Sequence, residues 1–379
     1  MQAIFWVSVG LAFSVYFGYP LFLFIASAFM GRASKKSDFT PFVSILIPAY
    51  NEEKSIRAKI ENSLSLDYPG DKLEIIVISD GSTDKTEGIV NEYANRGIKL
   101  IVRRERKGKM AALNNVVPQA RGEIIVFSDA NTMYRPDAIR KLTRNFIESN
   151  IGCVCGNSVF VTDKSSSVES GFGAYMKYER FIWRKESLLR SLLVVDGAIY
   201  AIRKHLFSPI NEILADDFVN PLMIGARNYG IVYEPDAIAE EKAVTNIRKE
   251  FKRKIRVTSQ GYKALMLLWR WILKSRPLRI FQYLLHKILR WLVPFLLITI
   301  FVSNCFLLYL TIYKYLFAIQ VLFYLTAFAG YILDRMGTKV KIFYIPFYFC
   351  LINLASAAGL YQALTGTAKA TWEKAETTR

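Results

Sequence analysis

The chain has 379 residues, 52% of them hydrophobic and 22% charged, with a mean hydropathy of +0.21 and a formal net charge of +18. So much apolar sequence beside so much charge excludes one evenly mixed soluble domain and implies that the two occupy different segments. The positive surplus suits either nucleic acid or an anionic lipid surface, while two histidines (His205 and His286) and four cysteines without zinc spacing argue against a zinc site or a histidine-based triad.

Residues 3–30 carry no charge, which exceeds the roughly 20 residues a helix needs to cross a bilayer. No basic residue precedes this run and no small-residue cleavage pattern follows, so residues 1–31 read as a transmembrane helix and not as a signal peptide. Arg32, Lys35 and Lys36 follow directly, so the positive-inside rule puts residue 32 onward in the cytoplasm, making this a multi-pass cell-membrane protein with a cytoplasmic soluble domain.

Residues 32–243 alternate strand-like and helix-like patterns. "FVSILIPAY", "LEIIVISD", "IKLIVRRE" and "GEIIVFSD" are predicted strands. Between them "NEEKSIRAKIENSLSL", "STDKTEGIVNEYANR" (capped by Ser82 or Thr83) and "KMAALNNVVPQA" are predicted helices. Such repetition implies an α/β, Rossmann-like, mostly parallel sheet, and ligands of such sheets bind at the carboxyl ends of the strands. Tyr50, Asp80 and Asp129 all sit just past strand ends. Cys153 and Cys155 share a strand face, and all four cysteines read as free buried thiols in a reducing compartment. "DKSSS" (163–167) reads as a mobile loop or lid.

Residues 244–290 place Val244, Ile247, Phe251 and Ile255 among Arg248, Lys249, Lys252, Arg253, Lys254 and Arg256, the pattern of basic amphipathic helices lying on a membrane surface. Residues 175–193 resemble them less strongly. Trp269, Trp271 and Trp291 read as interface anchors, and His286 as a headgroup contact. Three further apolar runs, Leu292 to Tyr313, Tyr315 to Leu333 and Ile342 to Leu364, predict three transmembrane helices within 291–365, the first two hinged at Lys314. Residues 366–379 form a tail. The basic surplus thus gathers beside apolar spans, which favours membrane lipids over nucleic acid as the partner.

No G-x-G-x-x-G follows the first strand, and "RKGKMAA" lacks the upstream glycine of a P-loop. Dehydrogenase and ATPase chemistry lose their motifs. What remains is an acidic set on a basic chain: Glu52, Asp80, Asp84, Asp129, Asp216 and Asp217.

"IPAYNEE", "ISDGSTDKT", "KGKMAALN", "FSDANT", "VDGAIYAIR" and "LADDF", in this order, resemble glycosyltransferase family 2, inverting enzymes with the GT-A fold that use nucleotide-activated sugars. The resemblance spans roughly residues 42–260, and the membrane layout is similar to that of bacterial polysaccharide and glycolipid members. It implies a nucleobase pocket at Pro48, Ala49 and Tyr50 with Glu52 at the same strand exit, Asp80 accepting from the base, and Lys109 near the phosphates. It implies Mg2+ or Mn2+ at Asp129, with Asn131 standing where the family has a second aspartate. It implies a general base at the end of the pair Asp216–Asp217, the base being Asp217. "RKIRV" stands where the family has Gln-x-x-Arg-Trp; Arg256 matches its arginine and Arg253 replaces its glutamine, so both are candidates for holding a diphosphate, and the missing tryptophan counts against processive extension.

The resulting expectation is a membrane-embedded, metal-dependent, inverting hexosyltransferase. It would carry sugar from a nucleotide-diphosphate donor, a uridine diphosphate sugar in the first instance, to a lipid-linked or polysaccharide acceptor. The alternatives are a processive synthase that elongates and exports a polymer, and a transport or scaffold protein with a regulatory nucleotide-binding domain.

Overall fold

In the computed structural model, residues 1–161, 168–242, 247–338 and 340–367 are described. The predicted lid at 163–167, Val244 and most of the tail lie outside them.

The sheet has eight strands: β1 (Val43–Ala49), β2 (Leu73–Asp80), β3 (Ile98–Arg103), β4 (Ile124–Ser128), β5 (Met133–Tyr134), β6 (Ile151–Val161), β7 (Ile199–Arg203) and β8 (Gly230–Lys242). Their order is β3-β2-β1-β4-β7-β6-β8-β5. The β3-β2-β1-β4 half is parallel, β7 runs antiparallel to both β4 and β6, and β6 pairs parallel with β8. Every residue of β1 is buried, because both faces of the sheet are covered. Leu46, Ile76, Ile125 and Phe127 join one core; Ile45, Ile47, Val77 and Val126 join the other. Continuous apolar strands are what such two-sided burial demands.

The helices around the sheet are α2 (Ile56–Leu64), α3 (Thr86–Asn91), α4 (Lys109–Val116), α5 (Ala138–Thr143), α6 (Val168–Leu188) and α7 (Asp216–Ala226). Two start later than predicted. Asn51 takes a left-handed φ of +54°, a conformation its short side chain tolerates, and the chain turns through Glu52–Ser55 before α2 begins. Asp84, not Ser82 or Thr83, serves the start of α3: its Oδ1 accepts from the Thr86 N–H at 3.0 Å.

Four helices are long and apolar enough to cross a membrane: α1 (Gln2–Met30), α9 (Pro277–Cys305), α10 (Thr311–Arg335) and α11 (Lys341–Thr365). Helix α9 begins well before the predicted Leu292, and its Tyr283–Leu289 stretch is π-helical. The turn to α10 falls at residues 306–310, so Lys314 lies inside α10 and is not the hinge. Cys305 is exposed on α9, unlike the buried Cys153 and Cys155.

Helix α8 (Ile247–Lys274) carries the basic amphipathic stretch, and the start of its apolar stripe packs on protein, while Val257, Met266, Leu267 and Leu273 stay exposed. Ile247 and Phe251 pack on Tyr344, Phe347, Tyr348 and Leu351 of α11. The crossing is close because Gly359 has no side chain; a Cβ there would lie 2.2 Å from Thr258 Oγ1. Small residues at crossings are the usual route to tight packing between apolar helices. Trp291 likewise packs inward, beside Phe218 and Tyr262, and Trp271 lies against the core, while Trp269 is exposed. His286 is buried, its Nδ1 2.9 Å from Glu186 Oε1, where a headgroup contact was expected.

Candidate active site

The carboxyl ends of β1, β2 and β4 and the start of α7 meet at one edge of the sheet. Asp80 ends β2 fully buried, and a buried carboxylate must be satisfied. Its Oδ2 accepts from Gly108 N (2.7 Å), and its Oδ1 from Lys107 N and an Arg103 guanidinium N–H (both 3.2 Å). Gly108, at φ +99°, opens α4 there and so aims Lys109 at the edge.

Lys109 Nζ donates to Asp129 Oδ1 at 3.0 Å and lies 3.5 Å from Asp216 Oδ1. Although burial disfavours its charge, Asp129 and Asp216 hold its pKa well above the usual lysine value. Asp129 is no helix cap, since α5 starts at Ala138 behind Asp137. Its carboxylate stays 41% exposed, which leaves a face open.

Asp216 and Asp217 form the first turn of α7. Asp216 is buried and accepts from the Tyr200 hydroxyl at 2.7 Å. Asp217 lies beside Gly197, where a Cβ would come within 3.3 Å of its carboxylate; the glycine keeps room next to it. Burial raises the pKa of Asp217 to about 7, with the negative charge of Asp216 adding to it and Lys109 opposing.

The other predicted residues fall nearby or apart. Pro48 and Ala49 are buried within β1, and only Tyr50 opens outward, with the Arg106 guanidinium 3.7 Å above its ring. Glu52 accepts from Ser55 Oγ at 2.6 Å. Arg253 makes a two-point ion pair with Glu250 (2.8 and 3.1 Å), and Arg256 is exposed further along α8.

Three residues of the site were missed. Asp196 takes hydrogen bonds from Ser158 Oγ and from Ala198 N (3.1 Å) and adds negative charge beside Asp217; it lay in plain view within "VDGAIYAIR". Glu241, on β8, accepts from Thr132 Oγ1 at 3.1 Å; burial first, then Asp196 and Asp129, push its pKa to about 7. Lys59, fully buried on α2, donates to Thr132 O at 2.6 Å and sits 4.0 Å over the Tyr134 ring, bracing the turn after Asp129. Burial lowers its pKa to about 7 against the pull of Asp129 and Glu241.

Among the described residues, Asp129, Asp196, Asp216, Asp217 and Glu241 gather around Lys59 and Lys109, with Arg253 also within electrostatic reach of Glu241; burial first, and neighbouring negative charge after it, raises the pKa values of Asp217, Asp196 and Glu241. Such a site suits a hard divalent cation. Among the described residues no three carboxylate, cysteine or histidine side chains are already gathered to chelate one.

Residues 44–205 match Glycosyl transferase family 2. A beta-monoglucosyldiacylglycerol synthase from Nostoc sp. is 28% identical over 244 residues, covering 62% of this chain and 52% of that protein, so the chain spans about half its length. A poly-beta-1,6-N-acetyl-D-glucosamine synthase from Staphylococcus epidermidis is 24% identical over 315 residues, 79% of this chain and 74% of that one. A mannosyltransferase from Pyrobaculum calidifontis, solved with GDP-Man and Mn2+, shares the fold with a TM-score of 0.70 over 95% of this chain and 99% of its own, at 21% identity. The sheet order, the motifs along its edge and these likenesses agree: residues 44–205 are a glycosyltransferase family 2 region within a GT-A-like domain, which is joined to long apolar helices on both sides.

Proposed function

We propose that this protein is an inverting hexosyltransferase that moves a sugar from a nucleotide-diphosphate donor to a lipid-linked or glycan acceptor at the membrane, with its sheet domain on the cytoplasmic side. The observation that carries this reading is the single cleft formed by Lys109, Asp129, Asp216 and Asp217, contributed by α4, the end of β4 and the start of α7.

In the proposed reaction, a hydroxyl of the acceptor attacks the anomeric carbon as the bond from that carbon to the donor phosphate breaks. Asp217 takes the hydroxyl proton, and nucleoside diphosphate leaves with the bonding pair. A carboxylate with a pKa near 7 is well matched to accept that proton at neutral pH. Asp216, fixed by Tyr200 and Lys109, holds the start of α7 in place. Lys109 supplies a point charge for the diphosphate. Tyr50 offers a ring face to the base, and Asp80, held by the Gly108 and Lys107 N–H groups and Arg103, is the proposed acceptor for it. Asp129 and Asn131 would hold Mg2+ or Mn2+, which when bound neutralises charge on the departing diphosphate. The Pyrobaculum protein's GDP-Man and Mn2+ support a nucleotide-sugar donor and a divalent metal here, and the relatives' names support glycolipid or polysaccharide acceptors. Uridine donors remain our first choice and guanosine donors the second.

The test is release of nucleoside diphosphate by the purified full chain in nanodiscs, with uridine and guanosine sugars and manganese. Turnover with one donor class, lost in Asp217→Asn and Asp129→Ala while nucleotide still binds Asp217→Asn, is the expected result. Nucleotide binding without turnover under every condition would favour a regulatory domain instead.

A further inference from the structure

Residues 129–132 form a closed turn, in which the Thr132 N–H donates to Asp129 O at 3.3 Å. Asp129 and Asn131, the metal ligands proposed above, both lie in it. The exit of this turn is held from outside by two elements. From β8, Glu241 accepts from Thr132 Oγ1 at 3.1 Å. From α2, Lys59 donates to Thr132 O at 2.6 Å. Asn62, on the same face of α2 as Lys59, grips the β5 backbone twice. Its Oδ1 accepts from Tyr134 N at 2.7 Å, and its Nδ2 donates to Tyr134 O at 2.8 Å. The Tyr134 ring lies 4.0 Å from the Lys59 ammonium. Its hydroxyl reaches back to Phe127 O (3.1 Å), just ahead of Asp129, and to Ala198 O (3.0 Å). Both ends of the turn are thus tied to the same tyrosine.

Stability does not account for Lys59. Its side chain is fully buried, and taking a charge out of water is costly, so an apolar side chain of similar volume often serves as well or better in such a place. Its charge does not help a metal either. The ammonium lies within electrostatic reach of Asp129, and there it repels a cation. What is left is its grip: a short, charge-assisted hydrogen bond on the last carbonyl of the turn.

We propose that Lys59 and Asn62 are positioning residues: from one face of α2 they set the turn that carries Asp129 and Asn131, and so set the affinity of those two residues for a divalent cation. The proposal rests on the glycosyltransferase reading for the metal and for the nucleoside diphosphate it accompanies. Neither residue is itself a ligand. The helix that follows the base loop at Tyr50 thereby acquires a task in metal binding.

The probes are uridine diphosphate and guanosine diphosphate, titrated calorimetrically against the full chain in neutral maltoside detergent, with Mn2+ and again with EDTA. The ratio of the two affinities measures what the metal contributes. In Lys59→Met that ratio should fall about tenfold, while affinity in EDTA stays within about threefold of the unaltered chain. Asn62→Ala removes no charge and should lower the ratio about threefold, the worth of a neutral hydrogen bond. Asn62 is only half-buried, so this variant keeps the test open if Lys59→Met does not fold. A lysine that merely supports the fold would, when lost, weaken binding with and without metal alike. Charge alone has the opposite sign, since removing a cation near Asp129 raises the ratio. A ratio that rises in Lys59→Met, one that is unchanged in both variants, or an equal loss with Mn2+ and with EDTA therefore overturns the positioning role. If Mn2+ does not change the nucleotide affinity of the unaltered chain, the metal assignment falls and this proposal with it. If the unaltered chain binds neither nucleotide, the glycosyltransferase reading itself is overturned, and the proposal with it.

Discussion

The two sides of Asp217 are built from opposite surpluses. Toward the sheet, carboxylates outnumber ammonium groups, and burial first, with neighbouring carboxylates adding to it, raises the pKa values of Asp217 and Glu241 to about 7. Toward the long apolar helices, cations outnumber carboxylates, and burial first, then Arg253, lowers the pKa of Lys254 to about 8. Neither surplus stabilises the fold, because a buried charge without a partner is a net cost. The two lie close enough for Lys287 to feel Asp217, yet they have not collapsed into ion pairs with each other. A cleft held in that state suits the proposed metal-bound diphosphate on its carboxylate side.

The largest test of the comparison is Asp217→Asn. The side chain keeps its shape and loses its capacity to take a proton, so kcat/KM should fall about a thousandfold, while affinity for nucleoside diphosphate stays within a few-fold. A loss under tenfold in a donor-turnover assay would remove Asp217 from the chemistry and leave the carboxylate surplus without a catalytic purpose.

Lys109→Met comes next. It removes a cation in direct contact with Asp129 and lowers kcat/KM by about a hundredfold. It also has a signed effect on pH. Lys109 opposes the rise of the Asp217 pKa, so without it that pKa climbs above 7. The base works only when unprotonated, so the acidic limb of the kcat/KM profile should shift to higher pH and the defect should shrink as pH rises.

Gly225→Ala tests the junction instead of the site. A Cβ on Gly225 would lie 1.4 Å from an Arg279 guanidinium nitrogen, and that guanidinium ties α9 to Arg190 O and Tyr229 O. Overpacking of this kind costs about 1–3 kcal/mol and should appear as a lower Tm in detergent. An unchanged Tm would mean that the membrane helices and the sheet domain are joined less tightly than this packing implies.

The legibility of the two regions differs in the same way as their charge. The sheet side was readable because its groups sit at ends of local patterns: Asp80 and Asp129 each follow an apolar run, and Asp216–Asp217 open a helix. Lys59 and Glu241 were not readable, since a lysine in a charged helix and a glutamate in "AEEK" look solvated until the fold buries them. The membrane side was read less completely for a physical reason. Amphipathic periodicity in α8 reports that one face is apolar but not what covers it, and Tyr344, Tyr348 and the gap at Gly359 sit about a hundred residues further along. Nor does the sequence show the partner of Arg290, which α6 supplies in Glu179.

The smallest effect is also the sharpest probe of sign. Asp196 raises the pKa of Asp217 through its charge and is held by Ser158 and Ala198 N. In Asp196→Asn the amide oxygen still accepts from Ala198 N and the amide nitrogen can donate to the Ser158 hydroxyl, at the loss of the long 3.4 Å bond from Ser158 N. One negative neighbour is gone, the Asp217 carboxylate is less disfavoured, and its pKa falls. The acidic limb of kcat/KM, which reports the free enzyme, should move to lower pH by less than about one unit, opposite to the shift in Lys109→Met. Lys287→Met should follow the direction of Lys109→Met, since it also removes a cation near Asp217. If an anion and a cation removed from the two sides move the limb the same way, charge does not set the pKa of Asp217, and the opposition between the two surpluses has no bearing on the reaction.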